Sequence, residues 1–279
     1  MAALISRETL KSRLGEAGLL LIDLRLAADG GREAYRAGHV PGAVYSDYAA
    51  DGWRQKVGNA PGLLPDADHL ASLFGKLGIG PKTDVVLLPL GNSANDFGAS
   101  ARAYWTLKQA GHLAVSILDG GTQGWVKAGL PVEAGENAPK ATTPYPLCPQ
   151  PALRRRADEV EAALKARSAT LVDARSPSYF IGAEKAAEAK RAGRIPGAVN
   201  AEHARAFDAA TGALLPPEKL TPLYAEVPPG PVISYCNTGH TAALNWFVLS
   251  EVIGRPDVSL YDGSMTDWTQ DDSRPVDAG

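Results

Sequence analysis

Short apolar runs of strand length alternate along the chain with stretches whose apolar residues recur at helical spacing, and the alternation occurs twice. In the first half, strands are predicted at 19–24, 85–90 and Val115–Leu118, with a helix over 99–109. In the second half they are predicted at 170–174, Val232–Tyr235 and 258–261, with a helix over about 240–252. Apolar strands separated by helices specify an α/β arrangement in which a parallel sheet is covered on both faces. Ser6, ahead of Leu10 and Leu14, is placed to start an amphipathic helix.

The alternation is a true internal repeat. Leu21-Ile-Asp-Leu-Arg25 returns as Leu171-Val-Asp-Ala-Arg175, and Gly38-His-Val-Pro-Gly-Ala-Val44 returns as Gly193-Arg-Ile-Pro-Gly-Ala-Val199. Leu63-Leu-Pro65 is echoed by Leu214-Leu-Pro216, and Leu118-Asp-Gly-Gly-Thr-Gln-Gly-Trp125 by Tyr261-Asp-Gly-Ser-Met-Thr-Asp-Trp268. Four landmarks in one order indicate a duplicated domain rather than a solenoid. Prolines 139, 144, 146, 149 and 151 extend the chain between the copies, which places one domain at 1–137, a linker at 138–152 and a second domain at 153–279. Asp23 and Asp173 end their strands, where each could tie a loop in place through the arginine two residues on.

The 279 residues suffice for two domains with full hydrophobic cores. A net charge of -3 gives no general attraction to nucleic acid or an anionic membrane, and Arg154-Arg155-Arg156 fits a solvated helix start. Two cysteines and five scattered histidines do not compose a four-ligand metal cluster. No apolar stretch of spanning length occurs, and Arg7 and Glu8 interrupt any leader-like run, so a cytoplasmic location is expected, or a periplasmic one for a processed form.

Chemistry concentrates at Cys236. It stands where a strand should end and a helix begin, in Pro231-Val-Ile-Ser-Tyr-Cys-Asn-Thr-Gly-His-Thr241. Such a junction offers backbone N–H groups and the positive end of a helix dipole, so a thiol there loses its proton more easily and can hold an anion beside it. A buried cysteine that merely fills the end of a core strand is the alternative. The polar, glycine-containing turn that follows favours a reactive role. Asn237, Thr238, Gly239, His240 and Thr241 are then candidate ligand-binding positions through an inward nest of N–H groups. Gly239 suits a tight turn, and Thr241 can cap the helix or approach the sulfur. In the first copy the matching segment, Val85 through Asn95, has no cysteine, and Cys148 lies in the linker.

Together these segments resemble the tandem rhodanese-like sulfurtransferases, which include thiosulfate and 3-mercaptopyruvate sulfurtransferases. The markers are the strand ending in Arg175, the Gly-Arg-Ile-Pro-Gly-Ala-Val-Asn200 loop, the six-residue Cys236 loop and Asp-Gly-Ser-Met-Thr-Asp-Trp268. The resemblance covers essentially the whole chain. It implies two rhodanese-like domains, each a five-stranded parallel sheet flanked by helices, with only the second active. It further implies a Cys236 persulfide that receives sulfur from a small anionic donor, thiosulfate or in the alternative 3-mercaptopyruvate, and yields it to cyanide or a thiol, a thioredoxin-like protein among the acceptors, without metal, flavin or nucleotide cofactor. A persulfide carrier with little turnover is the alternative from another class.

The chain departs from the family pattern in the loop. Thiosulfate enzymes have Arg-Lys after the cysteine and mercaptopyruvate enzymes Gly-Ser or Gly-Ala, whereas this chain has Asn237-Thr238; His240 replaces a usual valine. A family arginine expected near Ser178-Tyr179-Phe180 is missing. The expected substitutes are His240 and Arg54, with Trp53 as an apolar wall and Arg194 as a further cation. For His240 the alternative is a packing role, and for Arg54 an ion pair with Asp47 or Asp51.

Overall fold

The computed structural model describes residues 2–208 and 210–279. Its first half runs β1 (Leu4–Ile5), α1 (Arg7–Arg13), β2 (Leu19–Asp23), α2 (Gly31–Ala37), β3 (Val44–Tyr45), β4 (Gln55–Val57), β5 (Ala60–Leu63), α3 (Ala67–Leu77), β6 (Asp84–Leu88), α4 (Ala94–Gln109), β7 (Val115–Leu118) and α5 (Gly121–Lys127). The second half runs α6 (Ala157–Ala166), β8 (Thr170–Asp173), α7 (Pro177–Phe180), β9 (Val199–Asn200), β10 (Phe207–Asp208), β11 (Ala213–Leu214), α8 (Pro217–Leu223), β12 (Val232–Tyr235), α9 (Thr241–Phe247), β13 (Val258–Leu260) and α10 (Ser264–Trp268). Helices separate successive strands of the parallel sheet in each half, as the apolar pattern requires, while β4–β5 and β10–β11 are antiparallel hairpins.

Among the described residues, the first half builds a parallel sheet in the order β1-β7-β6-β2-β3, and the second a parallel sheet in the order β13-β12-β8-β9. The counterpart of β1 is therefore lost from the second sheet. Pro151–Leu153 coil into a 3-10 turn, and a single parallel bridge joins Arg154 to Leu260 in its place. Proline at the head of that turn fixes φ and offers no N–H to a ladder. Local chemistry moves other boundaries too. The strand expected to reach residue 90 stops before Pro89, and α4 starts at Ala94 because the Ser93 side chain accepts the Asp96 N–H. The helix expected through 252 leaves α geometry after Phe247 and finishes as a π-helical turn, Val248–Val252.

Two compact units result, but they do not divide the sequence at one point. Met1–Trp53, Pro65–Pro149 and Phe207–Leu214 form the first; Arg54–Leu64, Gln150–Ala206 and Leu215–Gly279 form the second. The β4–β5 and β10–β11 hairpins thus each belong to the unit built mainly from the other half of the chain. A linear reading of the repeat cannot show this exchange, because both hairpins lie well inside their own halves of the sequence.

Each unit has its own core. In the first, Leu21, Val86 and Leu118 from the sheet meet Leu10 of α1 and Trp125 of α5; in the second, Leu171, Ile233 and Tyr235 meet Val160 of α6 and Trp268 of α10. The two tryptophans are fully buried and spend their indole N–H alike, Trp125 on the Pro131 carbonyl at 2.7 Å and Trp268 on the Pro275 carbonyl at 2.8 Å. Each therefore pins the segment after its helix as well as filling the core. Trp125→Ala and Trp268→Ala should each destabilise their own unit by about 3–5 kcal/mol. Urea unfolding followed by hydrogen exchange should localise the loss to the first unit in one variant and to the second in the other.

Candidate active site

The second unit prepares its site with a buried ion pair at the tip of β8. Asp173 accepts from the Arg175 backbone N–H at 3.0 Å and from its guanidinium at 2.9 Å (Nε to Oδ1) and 2.6 Å (Nη2 to Oδ2). Nη2 also donates to the Gly193 carbonyl at 2.8 Å, which ties the Gly193-Arg-Ile-Pro-Gly loop to the strand end. Asp23, Arg25 and Gly38 repeat this arrangement in the first unit. In the second unit the guanidinium also reaches the loop after the cysteine, with Nη1 at 3.4 Å from Asn237 Oδ1. Burial, the largest influence on Arg175, works against its charge; the hydrogen bonds and charge of Asp173 outweigh it, and Tyr235 and Cys236 add to the upward shift. The repeat motif itself therefore brings a fixed cation to the loop that follows the cysteine.

Cys236 follows β12 directly and is 2% exposed. Its loop is laced to the start of α10. Met265 N–H donates to the Cys236 carbonyl at 3.1 Å and Thr266 N–H to the Asn237 carbonyl at 3.0 Å. Ser264 Oγ accepts the N–H of Cys236 at 3.0 Å and that of Gly239 at 3.1 Å, and donates to the Tyr261 carbonyl at 2.8 Å. One hydroxyl proton and two lone pairs are thereby used. The Ser264 hydroxyl also lies 4.0 Å from Cys236 Sγ, close enough to shape the sulfur's surroundings.

Ser264 was not among the expected site residues, although a signal for it was present. The first copy has Gly121 at that point of the repeat, with φ 58°, and Ser264 keeps the same left-handed backbone at φ 51°. A side chain in that region costs about 1 kcal/mol or more relative to glycine, so a serine that replaces a glycine there has work to do.

The expected loop residues take distinct places. Gly239 has φ 70°, as its turn requires, but its N–H is engaged by Ser264 and is not one that an anion can use. Half-buried His240 is the N-cap of α9 in helical geometry, without a side-chain capping bond, and Thr241 is the first helical residue. Arg54 belongs to the second unit, where it is half-buried. Trp53, one residue earlier, stays with the first unit: it is fully buried, packs against Phe74 and donates its indole N–H to Ser46 Oγ at 2.9 Å. That burial leaves it no face to offer as a wall. Arg194 is committed elsewhere as well. Its guanidinium stacks on Phe180 and donates to the carbonyls of Phe180 at 3.3 Å and Gly279 at 3.0 Å, which ties down the C-terminal segment.

The first unit shows what the same junction becomes without a cysteine. After β6, the carboxylate of fully buried Asp96 accepts the N–H groups of Leu90 at 3.0 Å and Gly91 at 2.7 Å, so the chain's own side chain fills the turn. Burial raises its pKa from the ordinary 3.8 to about 6, against the opposing effect of those two hydrogen bonds. The folded state therefore holds the proton more tightly than the unfolded chain, and the stability gained at low pH is lost as pH rises through about 6. Relative to Asp96→Asn, the unaltered first unit should lose roughly 2–3 kcal/mol between pH 4 and 7. Paired urea titrations at the two ends of that range measure the difference.

The chain belongs to the rhodanese-like domain family, whose pattern it matches twice, over residues 6–128 and 156–271. A putative thiosulfate sulfurtransferase of Mycolicibacterium smegmatis is 34% identical over 256 residues, covering 88% of each chain, and human 3-mercaptopyruvate sulfurtransferase is 31% identical over 250 residues, covering 88% of this chain and 81% of the human one. Among solved structures, YnjE superposes with a TM-score of 0.85 at 28% identity, over 99% of this chain and 68% of its own. With its two units of this family, the protein is a sulfurtransferase.

Proposed function

We propose that the protein transfers sulfane sulfur from thiosulfate to cyanide or a thiol through a persulfide on Cys236. The observation that carries this reading is the cysteine at the tip of β12, inside a loop held rigid by α10 and faced by the Arg175 guanidinium. The Cys236 thiolate attacks the outer sulfur of thiosulfate, the sulfur–sulfur bond of the donor breaks, and sulfite leaves with the bonding pair. Cyanide then attacks the terminal sulfur of the persulfide, which releases thiocyanate and restores the thiolate. Loop N–H groups and a fixed cation stabilise the anions of both steps. The uncharged side chains of Asn237 and Thr238 favour a second donor, 3-mercaptopyruvate, which carries one negative charge fewer than thiosulfate.

Intact mass after treatment with thiosulfate should rise by about 32 Da, one sulfur atom, and return to its starting value on addition of cyanide. Cys236→Ser should show no gain, and a gain that persists in that variant would reassign the sulfur. Loading without repeated turnover would point to a carrier, and slow loading from thiosulfate beside fast loading from 3-mercaptopyruvate would change the donor.

The Arg54 guanidinium completes the proposal, with the His240 imidazole as a second candidate. Arg54→Ala should raise the KM for thiosulfate about tenfold at unchanged kcat and at every pH, because an arginine stays charged throughout. If the imidazole of His240 contributes charge, thiosulfate loading falls as pH rises through its titration, and His240→Gln flattens that profile. A His240→Gln enzyme with an unaltered profile and lower thermal stability assigns the residue to packing.

A further inference from the structure

The catalytic loop contains one peptide unit that two distant parts of the chain hold from opposite ends. Its N–H is that of Gly239, received by Ser264 Oγ at 3.1 Å. Its carbonyl is that of Thr238, and against it lies Gly62 of β5, so close that a methyl group built on Gly62 would stand 2.6 Å from the Thr238 carbonyl carbon and overlap its oxygen. Gly62 is buried and does not have a left-handed φ, so space, not backbone conformation, demands a glycine there. The β4–β5 hairpin is itself anchored beside Ser264. Leu64 N–H donates to Asp262 Oδ2 at 2.6 Å, and Arg154 clamps the same carboxylate through Nη2 at 2.8 Å and Nε at 3.0 Å. The segment from Tyr261 to Ser264 therefore fixes both the hairpin and the loop.

We infer that Gly62 and Ser264 are positioning residues that keep the Thr238–Gly239 peptide from flipping, and so keep a carbonyl dipole turned away from the reactive sulfur. The carbonyl and N–H of a trans peptide point in opposite directions, and rotation of the unit as a whole interchanges them. A glycine on the C-terminal side removes the steric barrier to that rotation, as in the interconversion of type I and type II turns. Gly239 makes the flip accessible, and the Ser264 hydroxyl, 4.0 Å from Cys236 Sγ, marks the side to which the flipped carbonyl would turn. There its partial negative charge would oppose the thiolate. Two contacts prevent this: a hydrogen bond that only the N–H can make, and a close packing on Gly62 that only the present position of the carbonyl satisfies. The inference rests on the persulfide reading for its consequence in turnover, but its effect on the thiol is separate.

The test uses the full-length protein with Gly62→Ala, which pushes on the carbonyl, Ser264→Ala, which frees the N–H without adding an atom, and the double variant. Val57→Ala, on an exposed residue of the same hairpin, is the control. Iodoacetamide alkylation of Cys236 against pH reads the thiolate, and intact mass after thiosulfate reads sulfur loading. Each single substitution should slow both reactions at neutral pH by about tenfold or more and shift the alkylation midpoint upward, as expected when a loop dipole is reversed. Because both act on one peptide, the double variant should lose less than the product of the single losses. Should Gly62→Ala fail to fold, Ser264→Ala decides alone. Alkylation midpoints unchanged within error in every variant that folds would overturn the inference, as would losses that multiply in the double variant. If the unaltered protein takes up no sulfur while the midpoints still shift, the persulfide reading fails and the peptide lock stands.

Discussion

A buried carboxylate at the end of a central strand organises both halves of this molecule. Asp173 and its counterpart Asp23 each hold an arginine two residues on, and that arginine reaches across to the loop that begins at Gly193 or Gly38. Neither charge is exposed to solvent, so each exists at the expense of a desolvation penalty that only the pairing offsets, and loss of one partner would leave the other as an uncompensated charge at a cost of about 3–5 kcal/mol. The motif thus serves first as a fastener of loops. In the second unit the same guanidinium also extends to Asn237, and Cys236 is among the groups that raise its pKa.

Duplication followed by divergence gave the two strand-to-helix junctions opposite solutions to one problem, the accommodation of N–H groups that point into a tight turn. In the first unit a carboxylate from the chain itself, Asp96, takes up the donors of Leu90 and Gly91, and the junction is closed. In the second, a neutral hydroxyl takes the donors of Cys236 and Gly239, which orients the loop without introducing negative charge beside the sulfur. The two junctions therefore differ in electrostatics as well as in which copy holds the cysteine.

Much of this is legible in the amino-acid sequence. The repeated Leu-Ile-Asp-Leu-Arg and Leu-Val-Asp-Ala-Arg segments revealed the strands and their fasteners, and the position of Cys236 after Val232–Tyr235 followed from apolar run length alone. What stayed hidden depends on contacts between residues remote in sequence. Arg194 looked like a spare cation, yet it is occupied by Phe180 and the Gly279 carbonyl; Trp53 looked like a wall, yet it is core. Ser264 was visible only as a mismatch between copies, Gly121 against Ser264, and its meaning required the left-handed backbone that both share. The weakened strand before Arg154 could have been suspected from Pro151, since a residue without an N–H is a poor start for a ladder.

The exchanged hairpins bear on the history of the chain. A copy without the cysteine would ordinarily be dispensable, and deletion of the first repeat would be expected to leave the other whole. Here such a deletion would also remove residues 54–64, and with them the glycine that lies against the Thr238 carbonyl and the Leu64 N–H that Asp262 receives. The remnant would in turn carry Phe207–Leu214, a hairpin that belongs to the lost unit. A deletion that follows the repeat boundary therefore leaves an incomplete unit on either side, which ties the inheritance of one copy to that of the other.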